Sequence, residues 1–283
     1  MARSWKAKPR ASVLRVLLVA ASMLLALQSS CPPAAAQEQQ STLQKVLARG
    51  KVLVAVTTAS PPFEFIDKEG KLEGFEIDVA RLIAKSLFNK PDAVEFVRTS
   101  FDARWTTVNT GRADFGIMVT TIYPPRVLNV AFTEPYFKTG NGCMVRKDSP
   151  IKTFADINRP NFSVALLNIA EDHKRHEEFY PKAKALYFGT QSEQYAAVLS
   201  GQAQAACTDR PFLAWVVKQH PSELRMLPGT TAGTLNNAIF LKQGDFTWWL
   251  YLNTIVNEMR HGSLYPEYDQ LYEKWFGEHA PRE

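Results

Sequence analysis

The 283-residue chain has only three cysteines, and beyond its first 36 residues it has no excess of positive charge and no long apolar run. Only Cys143 and Cys207 lie beyond that segment, and one possible bridge excludes a scaffold built on disulfides. The sequence does not show how far apart they lie, so we expect two buried thiols. Because no later stretch is long enough to span a bilayer, we expect the processed chain to be soluble.

The first 36 residues have the pattern of a secretory signal peptide. Five basic residues precede an apolar region at 16–27, and three consecutive alanines then form a small-residue cleavage site. Cys31 leaves a lipoprotein alternative open, although Gln28 stands where a lipobox has an aliphatic residue. We therefore expect a signal peptide at 1–36, a linker at 37–41 and a periplasmic location.

The basic character of the chain belongs largely to this segment. Removing it takes away five of the 33 basic residues and none of the 28 acidic ones, which leaves 28 of each. A nucleic-acid-binding domain concentrates Lys and Arg on one face, so this balance argues against that class. The remaining 247 residues (283 less 36) are enough for one large domain or for two lobes.

Strands and helices alternate along the rest of the chain, which is typical of an α/β fold. Apolar runs predict strands at Val52–Val56, Val94–Val97 and Phe115–Val119. Apolar residues at helical spacing after Gly74 predict an amphipathic helix, and a second helix is expected at Arg104–Asn109, ended by Gly111.

A short pattern occurs twice, each time where a helix ends and a strand begins. It consists of a valine, a glycine and an alanine at the same spacing: Val108, Gly111 and Ala113, then Val198, Gly201 and Ala203. Polar residues follow both strands, with Thr121 and Arg126 after the first and Asp209 after the second. Since ligand sites of α/β proteins lie beyond the carboxyl ends of strands, the pattern predicts two lobes that face one cleft.

The segment from Thr120 to Arg126 has the groups of a carboxylate-binding site. It places two threonine hydroxyls, backbone N–H groups and a guanidinium within about one turn of chain. A carboxylate offers about four lone-pair sites, which an arginine fork beside such donors can fill.

Several motifs together resemble the periplasmic solute-binding proteins of the polar amino-acid class, which are the receptors of ABC importers. They are Pro61–Phe65, Gly74–Asp78, Thr121–Arg126, Phe132–Tyr136, Thr208–Pro211 and Tyr272–Gly277. The resemblance implies a type II periplasmic-binding-protein-like fold in the α/β class, in which each lobe is a mixed sheet flanked by helices. Its first lobe would comprise 42–138 and 236–283, and its second 139–235, with two hinge crossings.

The same resemblance implies a set of ligand contacts. Arg126 matches the residue that holds the ligand α-carboxylate, Thr121 the donor beside it, and Val119 a backbone contact. Asp209 matches the acid that receives the α-ammonium group, and Phe101 an aromatic wall against the ligand side chain. A zwitterion needs donors at one end and an acceptor at the other, which agrees with these assignments.

The chain departs from the family pattern at other ligand positions. Ser60 replaces an aromatic residue of the cleft wall, and Asn168, Ile169 and Ala170 replace a Gly-Ser-Thr turn that offers donors at a helix N-terminus. The turn in this chain still offers backbone donors but has no serine or threonine hydroxyl. The ligand therefore need not be a standard α-amino acid. Tyr123 stands where threonine is more usual, and either lines the cleft or packs against its wall.

Other polar and aromatic clusters have simpler explanations. His173 and His176 lie among acidic residues, but no third ligand follows at a diagnostic spacing, so we expect a solvated helix face and no metal or cofactor. The aromatic residues of 248–251 are expected to pack a C-terminal helix. For Asp209, a role as the N-cap of a helix remains an alternative to ligand binding.

We therefore expect a receptor that binds a small polar solute, most simply an amino acid, and delivers it to an inner-membrane ABC permease. Neither catalysis nor nucleic-acid binding is expected, and the chain should be monomeric. One alternative is an enzyme like the periplasmic cyclohexadienyl dehydratases, for which Glu64 or Asp209 would be the general acid. The other is a sensory receptor that reports ligand binding to a signalling partner.

Overall fold

The computed structural model describes residues 1, 40–230 and 233–282. The predicted signal peptide at 1–36, with Cys31, is outside the described residues apart from its first residue, and so is most of the predicted linker. Ser41–Glu283 forms one compact unit. In the described ranges, no helix has both the length and the apolar character needed to cross a membrane.

The unit contains short helices between the strands and longer ones on the outside. Its helices are α1 (Thr42–Arg49), α2 (Phe75–Phe88), α3 (Arg104–Asn109), α4 (Pro124–Val127), α5 (Phe154–Ile157), α6 (Ala170–Phe179), α7 (Gln191–Leu199), α8 (Arg210–Gln219), α9 (Phe246–His261) and α10 (Tyr265–Phe276). Its strands are β1 (Val52–Val56), β2 (Ala59–Ser60), β3 (Glu64–Ile66), β4 (Leu72–Glu73), β5 (Val94–Arg98), β6 (Phe115–Gly116), β7 (Ala131–Thr139), β8 (Asn141–Arg146), β9 (Ser163–Leu167), β10 (Lys184–Phe188), β11 (Ala205–Asp209), β12 (Leu224–Met226) and β13 (Leu235–Leu241).

Two mixed five-stranded sheets organise the fold. The first has the order β5-β1-β6-β13-β7, the second has the order β10-β9-β11-β8-β12, and a small third sheet has the order β2-β3-β4. The chain passes from the first sheet to the second between β7 and β8, and it returns between β12 and β13. We call the body around the first sheet lobe 1 and the body around the second sheet lobe 2. The predicted two-lobed α/β architecture with two crossings is confirmed.

Local sequence signals account for the elements that lead to the cleft. β1 pairs in parallel with β5 on one side and β6 on the other, which explains its continuous apolar run. α2 begins after Gly74, buries its apolar face and ends at Asn89, which has a left-handed φ of 53°. α3 has the predicted bounds.

The repeated pattern corresponds to the same turn in both lobes. Gly111 and Gly201 have φ values of 76° and 79°, and each donates its N–H to the valine three residues earlier at 3.1 Å. A side chain would be strained at such angles, so glycine is needed at both positions. Each turn ends a helix and directs the chain into a strand whose carboxyl end faces the cleft.

The predicted strand Phe115–Val119 is shorter than expected. β6 contains only Phe115 and Gly116, and Val119 has a left-handed φ of 43°. The Val119 N–H donates to Glu76 Oε1 at 2.8 Å. The Val119 N–H is thus bonded to a buried side chain and not to a neighbouring strand, which apolar patterning alone does not reveal.

The core of lobe 1 contains a cluster of packed aromatic side chains. Phe75 packs against Phe137 and Phe276, with ring centroids 5.6 and 5.0 Å apart. In α9, Trp248 is buried and its indole N–H donates to the Asp114 carbonyl at 2.9 Å. This confirms the predicted packing of residues 248–251 for Trp248.

Lobe 2 contains the disulfide Cys143–Cys207. The expectation of two buried thiols is therefore wrong. The two residues are directly opposite each other in the antiparallel pair of β8 and β11, so the strand register brings their side chains together. The register depends on long-range pairing across 64 residues and could not be read from the spacing of the cysteines.

Candidate functional site

A small cavity of about 40 Å³, which we call the inner cavity, lies between the two lobes. Lobe 1 contributes Phe101, Thr121 and Arg126, and lobe 2 contributes Ile169 and Asp209. With Val119, which also lines this cavity, six of the predicted ligand contacts therefore surround one space, although they come from distant parts of the chain.

Arg126 is fixed from both lobes. It lies on α4, whose first turn holds two prolines, and only 7% of its surface is exposed. Its Nη1 donates to the Thr121 carbonyl at 2.9 Å. Across the cleft, its Nε donates to Glu171 Oε1 at 2.7 Å. The guanidinium thus holds a carboxylate from the opposite lobe.

The neighbouring donors of lobe 1 are largely engaged within the protein. The Thr121 hydroxyl donates to Asn237 Oδ1 at 2.9 Å, so its proton is not free for a ligand. The Val119 N–H is bonded to Glu76, which leaves the Val119 carbonyl as the backbone group for a ligand. Within lobe 1, Arg126 is thus a stronger candidate donor than either residue.

Asp209 lies at the carboxyl end of β11, directly before α8. It occupies the N-cap position of that helix, as the alternative interpretation expected, but its side chain makes no capping hydrogen bond. Among the described residues its Oδ1 has no hydrogen-bond partner. Burial raises the pKa of Asp209 to about 7, although the positive charge of Arg175 acts in the opposite direction.

The other predicted residues take different positions. Asn168 and Ala170 lie on an adjoining pocket of about 320 Å³, which we call the outer pocket, whereas Ile169 borders both spaces. Asn168 Oδ1 is 3.0 Å from His173 Nε2. Ser60 is fully buried opposite Glu64 in the β2–β3 hairpin and does not line the inner cavity.

Tyr123 lines the inner cavity, which decides between its two alternatives. Its ring lies under the Arg126 guanidinium, with the Cζ atom 5.0 Å from the ring centroid. Such a cation–π contact helps to hold the largely buried arginine in place.

Four charged residues of the inner cavity were missed by sequence reasoning: Arg104, Glu171, Asp172 and Arg175. Arg104 opens α3 just after Phe101, while the other three lie on α6, where an acidic and basic run predicted a solvated face. That prediction holds for His173, which is exposed, but Asp172 is buried and pairs with Arg175. The available signal was the oppositely charged pair Asp172 and Arg175, which are three residues apart and follow the unusual turn at 168–170.

Two other kinds of site were considered in the sequence: a metal site, and a general acid at Glu64. In the part of the chain that the structure describes, no group of three or more His, Cys, Asp or Glu side chains could hold a metal ion. Glu64 lies in lobe 1 beside Glu76 and does not line the inner cavity. Burial, with the nearby Glu76 charge, holds the pKa of Glu64 well above its usual range.

A larger cavity of about 620 Å³ is lined by basic and aromatic residues, including Arg210 and Lys274. Arg210 donates to the Gly229 carbonyl at 2.7 Å, and Lys274 is 2.6 Å from Asp78. Since these charges already have partners, size alone does not make this cavity the better candidate. The inner cavity, with its unsatisfied carboxylate, is the candidate site.

Comparison with known proteins identifies the family. Residues 52–278 match the model of the bacterial extracellular solute-binding proteins, family 3. A probable amino-acid ABC transporter-binding protein of Haemophilus influenzae is 30% identical over 230 residues, covering 80% of this chain and 84% of that protein. The glutamine-binding protein of Geobacillus stearothermophilus is 30% identical over 183 residues, covering 64% of this chain and 70% of that protein.

Among solved structures, the ancestral amino acid-binding protein AncCDT-1, a precursor of cyclohexadienyl dehydratase, matches with a TM-score of 0.76 and 34% identity. The match covers 83% of this chain and 100% of AncCDT-1. With its two mixed sheets, its two crossings and a cavity between the lobes, the chain belongs to the bacterial extracellular solute-binding proteins, family 3.

Proposed function

We propose that this protein is the receptor of an ABC importer and binds an α-amino acid or a close derivative in the inner cavity. Arg126 holds the ligand carboxylate, and Asp209 receives the ligand ammonium group. The observation that carries this proposal is the bond between Arg126 and the Glu171 carboxylate, because it places a carboxylate in the cleft on the same guanidinium. A ligand carboxylate would replace that of Glu171.

The two crossings serve as hinges in this proposal. Lobe 1 would comprise 42–138 and 236–283, and lobe 2 would comprise 139–235. Contacts between lobes, such as the 3.0 Å hydrogen bond from the Ser192 hydroxyl to the Ala59 carbonyl, favour the closed form. A ligand that touches both lobes binds this form better than an open one, and that difference in affinity drives closure.

The names of the relatives support the wider context. The Haemophilus influenzae relative is named as a transporter-binding protein, so an inner-membrane permease is the proposed partner. A periplasmic location, a monomeric state and a non-enzymatic role belong to the same proposal. A sensory receptor would use the same closed cleft, and capture of permease or sensor subunits from a membrane extract separates the two.

Thermal unfolding with a panel of ligands tests the proposal. Residues 37–283 are unfolded and refolded to remove bound solute, and then heated with amino acids, opines, polyamines and small organic acids. A ligand at a hundredfold its Kd adds about 2.7 kcal/mol to the unfolding free energy, and at least one amino acid should do so. Stabilisation by carboxylates without an ammonium group, and by no amino acid, would contradict the proposal.

The ionisation of Asp209 predicts a pH dependence of binding. Its pKa of about 7 means that the carboxyl is increasingly protonated at lower pH, whereas an ammonium ligand binds the ionised form. Affinity should therefore fall by up to about tenfold for each pH unit below 7. Calorimetry at pH 5.5, 6.5 and 7.5 measures this, and Asp209→Asn should bind weakly without the pH step. Equal affinity of the wild type at all three values would show that Asp209 does not bind the ammonium group.

Asp209 also affects stability in the unliganded protein. Because its folded pKa is raised from 3.8 to about 7, its contribution to stability is fully present below the unfolded pKa. That contribution is lost as the pH rises through the folded pKa. A ligand ammonium group would oppose this loss.

A dehydratase remains the second candidate function, because Asp209 combines a place in the cavity with a pKa suited to a general acid. The resemblance to AncCDT-1, a precursor of cyclohexadienyl dehydratase, motivates the test. Incubation with prephenate or arogenate should give no aromatic product if the protein is a receptor. Turnover by the wild type that disappears in Asp209→Asn would show that the protein is an enzyme and would overturn the receptor assignment.

A further inference from the structure

Arg104 is a largely buried cation on the wall of the inner cavity. Only 5% of its surface is exposed, and its Nε has no hydrogen-bond partner in the described part of the protein. The guanidinium lies against two aromatic rings, with its Cζ 4.2 Å from the Trp105 centroid and 5.4 Å from the Phe101 centroid. The negative charges of Glu171 and Asp102 act on Arg104, but the Glu171 carboxylate is hydrogen-bonded to Arg126.

A buried guanidinium N–H group without a hydrogen-bond acceptor is destabilising. Contact with aromatic faces offsets only a small part of this cost, because a ring supplies no hydrogen-bond acceptors in the guanidinium plane. A buried, unsatisfied donor group of this kind on a cavity wall is therefore a position for an anionic group of a ligand.

Arg104 lies where such a ligand could reach it. Together with Arg126 and Glu171 it forms part of the wall shared by the inner cavity and the outer pocket. Burial, and then the positive charge of Arg126, lower the pKa of Arg104 to about 9, so the side chain is still a cation at neutral pH. The lobe 1 side of the site thus presents two guanidinium groups.

The opposite lobe presents unsatisfied acceptors. Within the described residues, Asp209 Oδ1 and Gln191 Oε1 are buried without hydrogen-bond partners, and both residues line the inner cavity. These oxygens require a donor such as an ammonium group. The complementary ligand has two anionic groups toward lobe 1 and one cationic group toward lobe 2.

We propose that Arg104 is a ligand-binding residue and that the physiological ligand is an acidic amino acid, whose second anionic group binds Arg104. This rests on the proposed function, in which Arg126 and Asp209 hold the α-carboxylate and the α-ammonium group. The second carboxylate extends from the inner cavity along the shared wall toward the outer pocket. Relatives named for glutamine binding take an uncharged side chain, so the two classes differ in one charge.

Calorimetry with matched acids and amides tests the inference. The probes are L-aspartate, L-glutamate and L-2-aminoadipate, with L-asparagine and L-glutamine as uncharged isosteres of the first two. We expect at least one of the three acids to bind. If L-aspartate or L-glutamate binds, its affinity should be at least about tenfold higher than that of the matching amide. In Arg104→Gln this preference should disappear, whereas Arg159→Gln, which changes an exposed arginine of lobe 2, should retain it.

The outcomes separate the inference from the proposed function. An amide that binds as tightly as its acid, or tighter, overturns the acidic ligand and leaves the amino-acid receptor in place. Glutarate, a dicarboxylate without an ammonium group, is a further probe. If glutarate binds and no amino acid does, the site for two anionic groups is supported and the amino-acid receptor is overturned. Absence of binding by every acid overturns the inference, even if Arg104→Gln fails to fold, since this result comes from the wild type alone.

Discussion

Replacing Arg126 by alanine should weaken ligand binding by about 2–5 kcal/mol, which corresponds to an increase in Kd of roughly 30-fold to several thousandfold. The ligand carboxylate would be left in a closed cleft without its main donor, and the Glu171 carboxylate would lose its partner at the same time. Calorimetry with the ligand found in the thermal panel measures the change.

Two further variants assign the cause of that loss. Arg126→Ala leaves the charge of Glu171 unpaired, and this charge could itself repel the ligand. The double variant Arg126→Ala/Glu171→Ala removes the repulsion, and it should still bind weakly if the guanidinium is the donor. Arg159→Ala is the matched control, because Arg159 is exposed and pairs with Asp156 away from the cavity. Full recovery of affinity in the double variant would show that Arg126 only neutralises Glu171.

Removing the Cys143–Cys207 bridge should lower the free energy of unfolding by about 2–4 kcal/mol. The bridge closes a long loop within lobe 2, so the unfolded chain gains conformational freedom when it is absent. For a domain of this size the midpoint should fall by roughly 4–16 °C. Thermal unfolding of Cys143→Ala/Cys207→Ala measures the effect.

Reductant separates the bridge from the packing of the two side chains. It should lower the midpoint of the wild type and leave the double alanine variant unchanged. The bond joins adjacent strands of one lobe, so ligand affinity measured below the midpoint should change little. A wild-type midpoint that is insensitive to reductant under unfolding conditions would contradict a stabilising disulfide.

The elements of lobe 1 that could be predicted depend on local patterns. The apolar run of β1, the amphipathic spacing in α2 and the glycine that ends α3 are each contained in a few consecutive residues. The paired turns at Gly111 and Gly201 were also visible, because the same backbone geometry requires glycine in both lobes. The family motifs then placed Arg126 and Asp209 at one cavity.

The features that sequence reasoning missed depend on contacts across the fold. Glu171 meets Arg126 only because the two lobes approach each other, and the two cysteines meet through the register of β8 and β11. Arg104 could be assigned to a helix from its sequence, but the burial of its Nε without a hydrogen-bond partner among the described residues depends on the cavity. The Val119 N–H is bonded to the side chain of Glu76, which is 43 residues away in the sequence.

The central claim is that an amino acid is held between Arg126 of lobe 1 and Asp209 of lobe 2. A crystal structure with the amino acid that gives the largest thermal shift tests it most directly. We predict that the α-carboxylate lies within hydrogen-bond distance of the Arg126 guanidinium, in place of Glu171, and that the α-ammonium group is bonded to Asp209. A ligand bound elsewhere, with the Arg126–Glu171 bond intact, would contradict the account.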